Sequence, residues 1–75
     1  MFNTKMLTVR EQRFVNNFVG SADVGSPRLE REWRANLELD LTSYRYPHTA
    51  AVRTTVHKLM AEKQRTGLFT ALAEA

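Results

Sequence analysis

The stretch LTVREQRFVNNFVG, residues 7–20, decides the fold, because it contains a helix start, a buried face and a helix end. Thr8 followed by Glu11 fits a capping box, in which each side chain accepts a hydrogen bond from a backbone N–H at the helix N-terminus. Apolar residues then recur at helical spacing, and Gly20 follows at a position where a left-handed residue ends many helices. The stretch therefore predicts a first helix over residues 8–19.

A second helix is predicted over residues 27–39. Ser26 is a good N-cap, and Pro27 suits the first helical position, where a missing N–H costs nothing. One buried stripe follows at i, i+4 and i+8, formed by Leu29, Trp33 and Leu37. Asp40 would fall on the apolar side of a longer helix, so the helix is expected to end near residue 39.

A third helix is predicted over residues 49–65, after a loop or single helical turn at 41–48. Pro47 biases the residue before it away from helical geometry, which marks the boundary. Gly67 is a natural C-terminal cap with Leu68 as the apolar contact after it, and residues 68–73 are expected to add a short terminal helix. The inner face of the third helix contains Val52, Val56, Leu59 and Met60.

These elements predict an all-α fold, a single three- to four-helix bundle over residues 1–75 that is helix-turn-helix-like. No segment alternates apolar and polar residues as a strand does. Residues 1–6 and 70–75 are expected to be frayed. The predicted buried residues are Phe14, Phe18, Leu29, Trp33, Leu37, Val52, Val56 and Leu59.

Composition narrows the classes of function. Seventy-five residues allow one domain, and the absence of cysteine excludes disulfides and thiolate metal sites. No apolar run approaches the roughly 20 residues of a membrane span, and the N-terminus lacks the pattern of a signal peptide. His48 and His57 have no carboxylate at metal-ligand spacing. We expect an intracellular protein that is not an enzyme, without a membrane, metal, cofactor or small-molecule substrate.

The charge is distributed unevenly along the chain. Residues 1–21 have a net charge of +2, residues 22–40 of −2 and residues 41–75 of +3. Such segregation would orient the molecule in the field of a polyanion, although ordinary uneven surface charge is the alternative. On the first helix, Arg10 and Arg13 lie opposite the apolar face.

The outer face of the third helix alternates small residues with cations, as a DNA-recognition helix requires. It contains Ala50, Thr54, Lys58, Ala61 and Arg65. Ordinary solvated surface and contact with another helix, including one of a second copy, are the alternatives. Ahead of this helix, Tyr44-Arg45-Tyr46 interleaves aromatic and basic residues, which suits base stacking and phosphate pairing. The alternative is that the tyrosines cover the core.

The segment LTVREQRFVNNFV resembles the opening of small terminase subunits of tailed phages, and YPHTAAVRTTVHKL, residues 46–59, is similar to a later helix of that family. The resemblance implies a helix-turn-helix-like DNA-binding domain and a phage origin, hence the cytoplasm of a bacterial host. It also implies DNA contacts at Arg10, Arg13, Arg53 and Lys58.

Together these observations favour a small DNA-binding protein that contacts duplex DNA through the basic faces of its first and third helices. The candidate contact residues are Arg10, Arg13, Arg45, Arg53, Lys58 and Arg65. The alternative is a phage accessory protein that binds and inhibits a host protein of transcription or defence through its mixed-charge second helix. A dimeric transcriptional regulator is a third hypothesis.

Overall fold

The computed structural model describes residues 6–73, and within that range the chain forms three α-helices and no strand. They are α1 (Val9–Ser21), α2 (Pro27–Tyr44) and α3 (Thr49–Thr66). His48 bonds to Glu11 at one end of the bundle and Lys63 bonds to Ala22 at the other. The helices α1 and α3 are therefore parallel. The helix α2 runs antiparallel to them, because Glu38 pairs with Arg53 whereas Trp33, one turn earlier in α2, meets His57, one turn later in α3. The predicted small all-α bundle is confirmed.

The predicted helix starts are confirmed. In α1 the Thr8 N–H donates to Glu11 Oε1 at 2.8 Å, and the Glu11 N–H donates to Thr8 Oγ1 at 3.1 Å, which completes the capping box. In α2 the Leu29 N–H donates to Ser26 Oγ at 3.1 Å, with Pro27 in the first turn. At the end of α3, Gly67 is left-handed, with φ of 76°.

The predicted ends of the first two helices are wrong. Gly20 lies inside α1, which continues to Ser21 and ends at an extended Ala22. The second helix continues past Asp40 to Tyr44, because Leu41 extends the buried stripe of Trp33 and Leu37 by one more turn. Burial of Leu41 therefore outweighs the cost of a half-buried Asp40.

The segment after α3 also differs from the prediction. Residues 68–73 are not helical, and Leu68 is 72% exposed, so it does not make the predicted apolar contact. Leu72 is instead hydrogen-bonded to Asn16 of α1. Of the ends expected to be frayed, residues 1–5 and 74–75 lie outside the described residues.

The core lies between the three helices, and four of its predicted members are only half-buried: Phe14, Phe18, Leu29 and Leu59. The helix α1 is rotated so that Val15 and Val19 face inward, while Phe14 and Phe18 pack at its boundary with α2. Their rings meet those of Tyr46 at 5.1 Å and Trp33 at 6.4 Å. The buried apolar residues are Leu7, Val15, Val19, Trp33, Leu37, Leu41, Tyr46, Val52, Val56 and Met60.

Two classes of site are not found in the part of the chain that the structure describes. No helix between residues 6 and 73 is both long and apolar enough to cross a bilayer. Nor do three histidine or carboxylate side chains of this range come together as ligands for a metal ion.

Candidate functional site

The outer face of α1 borders an open groove whose other wall is the C-terminal end of α2. We call it the α1 groove; its volume is about 490 Å³. Among the described residues that line it, Asp40 is the only carboxylate, whereas Arg10 and Arg13 are both cationic. The lining residues are Arg10, Arg13, Phe14, Asn17, Phe18, Ser21, Asp40, Tyr44 and Tyr46.

Aromatic side chains form the floor of this groove. The guanidinium carbon of Arg10 lies 4.8 Å from the centre of the Tyr46 ring, a cation–π contact that orients the arginine. Tyr46 packs in turn against Phe14 and against Tyr44, whose ring centre lies 5.7 Å away. Burial raises the pKa of the Tyr46 phenol, partly offset by Arg10. Tyr46 therefore covers the core, while Tyr44 remains 49% exposed at the rim.

Arg45 lies at the sharp turn that ends α2, beside these tyrosines in sequence. Its backbone is left-handed, with φ of 53° and ψ of 50°, and its side chain is exposed. A non-glycine residue adopts this conformation at a cost of roughly 1 kcal/mol, which the packing of Leu41 and Tyr46 on either side must offset. The turn presents Arg45 to solvent next to the exposed ring of Tyr44.

Arg53, another predicted DNA contact, forms a bidentate ion pair with Glu38 of α2. Its Nε and one terminal nitrogen each donate to a carboxylate oxygen at 2.8 Å. These hydrogen bonds raise the pKa of Arg53 and lower the pKa of Glu38. The fork geometry ties α3 to α2, so Arg53 has a structural partner 15 residues away in sequence.

Lys58 and Arg65 lie on the outer face of α3, where both are exposed. Arg65 donates to Glu62 at 2.6 Å. Since α3 packs on α1 through its buried face, this outer face points away from α1. The six predicted residues thus lie on three surfaces: the α1 groove with the adjoining Arg45, the α2–α3 contact, and the outer face of α3.

A buried carboxylate at the bundle end was only partly predicted from the sequence. Glu11 is 0% exposed, and besides Thr8 it accepts hydrogen bonds from the backbone N–H of His48 at 2.8 Å and from His48 Nδ1 at 2.9 Å. Burial on its own raises the pKa of Glu11, but the hydrogen bonds from Thr8 and His48 outweigh it and lower the pKa below its ordinary value. The capping-box spacing predicts the hydrogen bonds between Glu11 and Thr8, but no sequence signal predicts that His48 also donates to Glu11.

Lys63 makes the corresponding contact at the other end of the bundle, and the sequence did not indicate it. Its ammonium donates to the carbonyl oxygens of Val19 and Ala22, both at 2.7 Å, and of Gly20 at 3.3 Å. These are carbonyls that the end of α1 leaves without an intrahelical donor. A lysine of α3 therefore caps α1, and its charge is committed to the fold.

A smaller cavity of about 220 Å³ lies between α2 and α3, beside Trp33 and His57. The two rings meet edge to face at 5.0 Å, and the guanidinium of Arg34 lies 5.6 Å from the indole. Burial, and then the positive charge of Arg34, lowers the pKa of His57. Arg34 is paired with Glu30 at 3.1 Å, and Arg65, which also lines this cavity, is paired with Glu62 at 2.6 Å.

No protein-family model, curated protein or solved structure matches this chain.

Proposed function

We propose that this protein binds duplex DNA, and that the α1 groove with the adjoining Arg45 is its main contact surface. The observation that carries the proposal is the composition of that surface. Two arginines face a single carboxylate among the described lining residues, and exposed Tyr44 and Arg45 adjoin them.

In this proposal, Arg10, Arg13 and Arg45 contact phosphates, since cations spaced along a face neutralise the backbone without reading sequence. Asn17 lies on the same face and offers an amide donor and acceptor to a phosphate or base edge. The contact of Arg10 with Tyr46 fixes the direction of its guanidinium before DNA arrives, which reduces the entropic cost of binding. The resemblance of residues 7–19 to small terminase subunits supports the same function and a phage origin.

The outer face of α3 is the second contact surface in this proposal. Lys58 and Arg65 project from it, with Ala50, Thr54 and Ala61 exposed between and around them. Small exposed residues allow a helix backbone to approach the floor of a groove. Because this face points away from α1, it engages another stretch of the same DNA in this proposal.

The test is fluorescence anisotropy with a labelled duplex of about 30 base pairs over a range of salt concentrations. The variant Arg10→Gln, Arg13→Gln should bind all duplex sequences more weakly, and the slope of log K against log salt should fall by about 0.9 for each phosphate that the variant no longer neutralises. The control Arg28→Gln, Arg31→Gln removes the same charge from the exposed side of α2 and should leave the slope unchanged.

Two outcomes would contradict the proposal. One is that the wild-type protein fails to retard duplex DNA at low salt. The other is that the α1 and α2 variants lose affinity equally, because that would reflect net charge alone. A third variant, Lys58→Gln with Arg65→Gln, tests whether α3 contributes to DNA binding. If it does, the slope of log K against log salt should also fall in this variant.

Binding to a host protein is the second candidate, and one observation favours it. Leu39 is 65% exposed on α2, on the same helix as the mixed-charge pairs Arg28–Glu32 and Arg34–Glu30. A partner with complementary charges would match these pairs and cover the leucine. Leu39→Asp should then abolish capture of a bacterial protein from nuclease-treated lysate while leaving DNA binding intact.

A further inference from the structure

We propose that the face of α1 and α3 opposite α2 is a binding site for an extended peptide segment. We further propose that, when two molecules associate, the same segment of a second copy binds to this site. In the structure the site holds the chain's own residues 67–73, which we call the tail. After Gly67 reverses the chain direction, the tail runs back along α1 from Gly20 towards Asn16.

The backbone of the tail is held by the side chain of Asn16. The side-chain amide of Asn16 donates to the Leu72 carbonyl at 3.0 Å, and the Leu72 N–H donates to Asn16 Oδ1 at 2.7 Å. One asparagine thereby satisfies both backbone groups of one residue, as a neighbouring strand would. The two bonds fix the register of the segment and do not depend on the side chain at position 72.

Two apolar side chains anchor the tail on either side of exposed residues. Phe69 and Leu72 are half-buried and pack against the core, whereas Thr70 and Ala71 are exposed. At Gly20 there is room for the Phe69 ring, since a β-carbon there would lie 3.6 Å from it. The site thus selects a chain with two apolar residues three positions apart. The backbone N–H and carbonyl of the second apolar residue must be free to bond to Asn16.

The connection to α3 suits exchange between copies. Only Gly67 and Leu68 separate the helix from the first anchor, and Gly67 has a φ of 76°. Glycine adopts positive and negative φ at similar cost, so the hinge opens without strain. If two molecules exchange tails reciprocally, every contact between a tail and a site is made within a closed dimer of two-fold symmetry. Leu68, 72% exposed at the hinge, would then lie near the two-fold axis and bury against its counterpart.

The first experiment uses a fluorescent peptide of residues 67–73, GLFTALA, titrated against the full chain carrying Phe69→Ala and Leu72→Ala. The peptide should bind this tail variant, and bind wild-type protein at least about tenfold more weakly, because the attached tail competes at a millimolar effective concentration. Asn16→Asp in the tail variant should weaken binding at least about tenfold, because a carboxylate oxygen would face the Leu72 carbonyl. The matched control Asn36→Asp carries the same charge on an exposed side chain of α2 and should leave the affinity for the peptide unchanged.

No binding to a tail variant that retains its helical circular dichroism would overturn the proposal. If that variant does not fold, the wild-type protein decides the question through the NMR resonances of the backbone N–H groups of its own tail, observed with isotope-labelled protein and unlabelled peptide. These should shift when the peptide is added at millimolar concentration, and unchanged resonances would overturn the proposal.

The second experiment identifies the occupant by mixing two full-length variants. The Asn16→Asp chain has an intact tail and a weakened site, while the Phe69→Ala, Leu72→Ala chain has an intact site and no anchors. Sedimentation should show monomers of each variant alone and a heterodimer in the mixture. A mixture that stays monomeric well above the Kd of the peptide would overturn the second copy as occupant.

Discussion

Replacement of the buried Glu11 carboxylate is expected to destabilise the bundle by about 3–5 kcal/mol, because several hydrogen-bond donors lose their acceptor together. In Glu11→Ala, three donors lose their acceptor: the backbone N–H groups of Thr8 and His48, both at 2.8 Å, and His48 Nδ1 at 2.9 Å. A fully buried donor left unsatisfied costs about 1–3 kcal/mol, and these three bonds are part-buried, so that figure is an upper value for each. The contributions overlap, so their sum is an upper bound.

That loss is large for a chain of this size, whose single core supplies roughly 3–5 kcal/mol. Urea unfolding at neutral pH, followed by circular dichroism at 222 nm, should place Glu11→Ala at or near the unfolded state. Thr8→Ala removes one capping oxygen only and should cost about 0.5–2 kcal/mol. The matched control Glu32→Ala removes an exposed glutamate paired with Arg28 and should cost at most about 1 kcal/mol. If Glu11→Ala and Glu32→Ala unfold at the same urea concentration, the buried carboxylate does not join the two helices as described.

Three further predictions concern side chains that set the stability of the helix bundle. The pKa of Glu11 is lowered from 4.5, so its ionised form stabilises the folded protein above that pH. This stability is lost as the pH falls through the lower pKa of the folded state. The urea midpoint should therefore fall with acidification, and it should fall less in Glu11→Gln. Gly20→Ala should raise the free energy of unfolding by about 0.5–1 kcal/mol, because position 20 is helical and the added β-carbon makes an ordinary contact of 3.6 Å with Phe69; a lower thermal midpoint would contradict this. Lys63→Met removes the donor to three carbonyl oxygens and should cost about 1–3 kcal/mol in urea unfolding. Arg31→Met on the exposed side of α2 should stay within about ±0.5 kcal/mol, and equal losses would refute the cap.

Helix starts were predictable from the sequence because their determinants are local. The capping box of Thr8 and Glu11 and the Ser26-Pro27 pair each lie within four residues of the helix that they begin. Helix ends depend on tertiary packing instead. The helix α2 gains a turn because Leu41 reaches the core, and this gain is not visible in the residues around Asp40 alone.

The candidate site likewise combines features that are local in the sequence with contacts that depend on tertiary packing. Placement of Arg10, Arg13, Lys58 and Arg65 on exposed helix faces follows from periodicity, which the sequence contains. The pairing of Arg53 with Glu38 joins side chains of two different helices, and the hydrogen bonds of Asn16 join residues 56 positions apart. Such contacts depend on how the helices rotate against one another, which a single sequence does not specify.

The parallel arrangement of α1 and α3 has an electrostatic consequence. Their peptide dipoles add, so partial positive charge from two N-termini accumulates at one end of the bundle and partial negative charge from two C-termini at the other. Glu11 lies in the first turn of α1 and accepts from His48, the N-cap of α3, so one carboxylate neutralises both positive ends. Lys63 lies in the last turn of α3 and binds the final carbonyls of α1, so one ammonium neutralises both negative ends. Two opposite charges at the two ends thus allow the bundle to hold a pair of helices whose dipoles would otherwise repel.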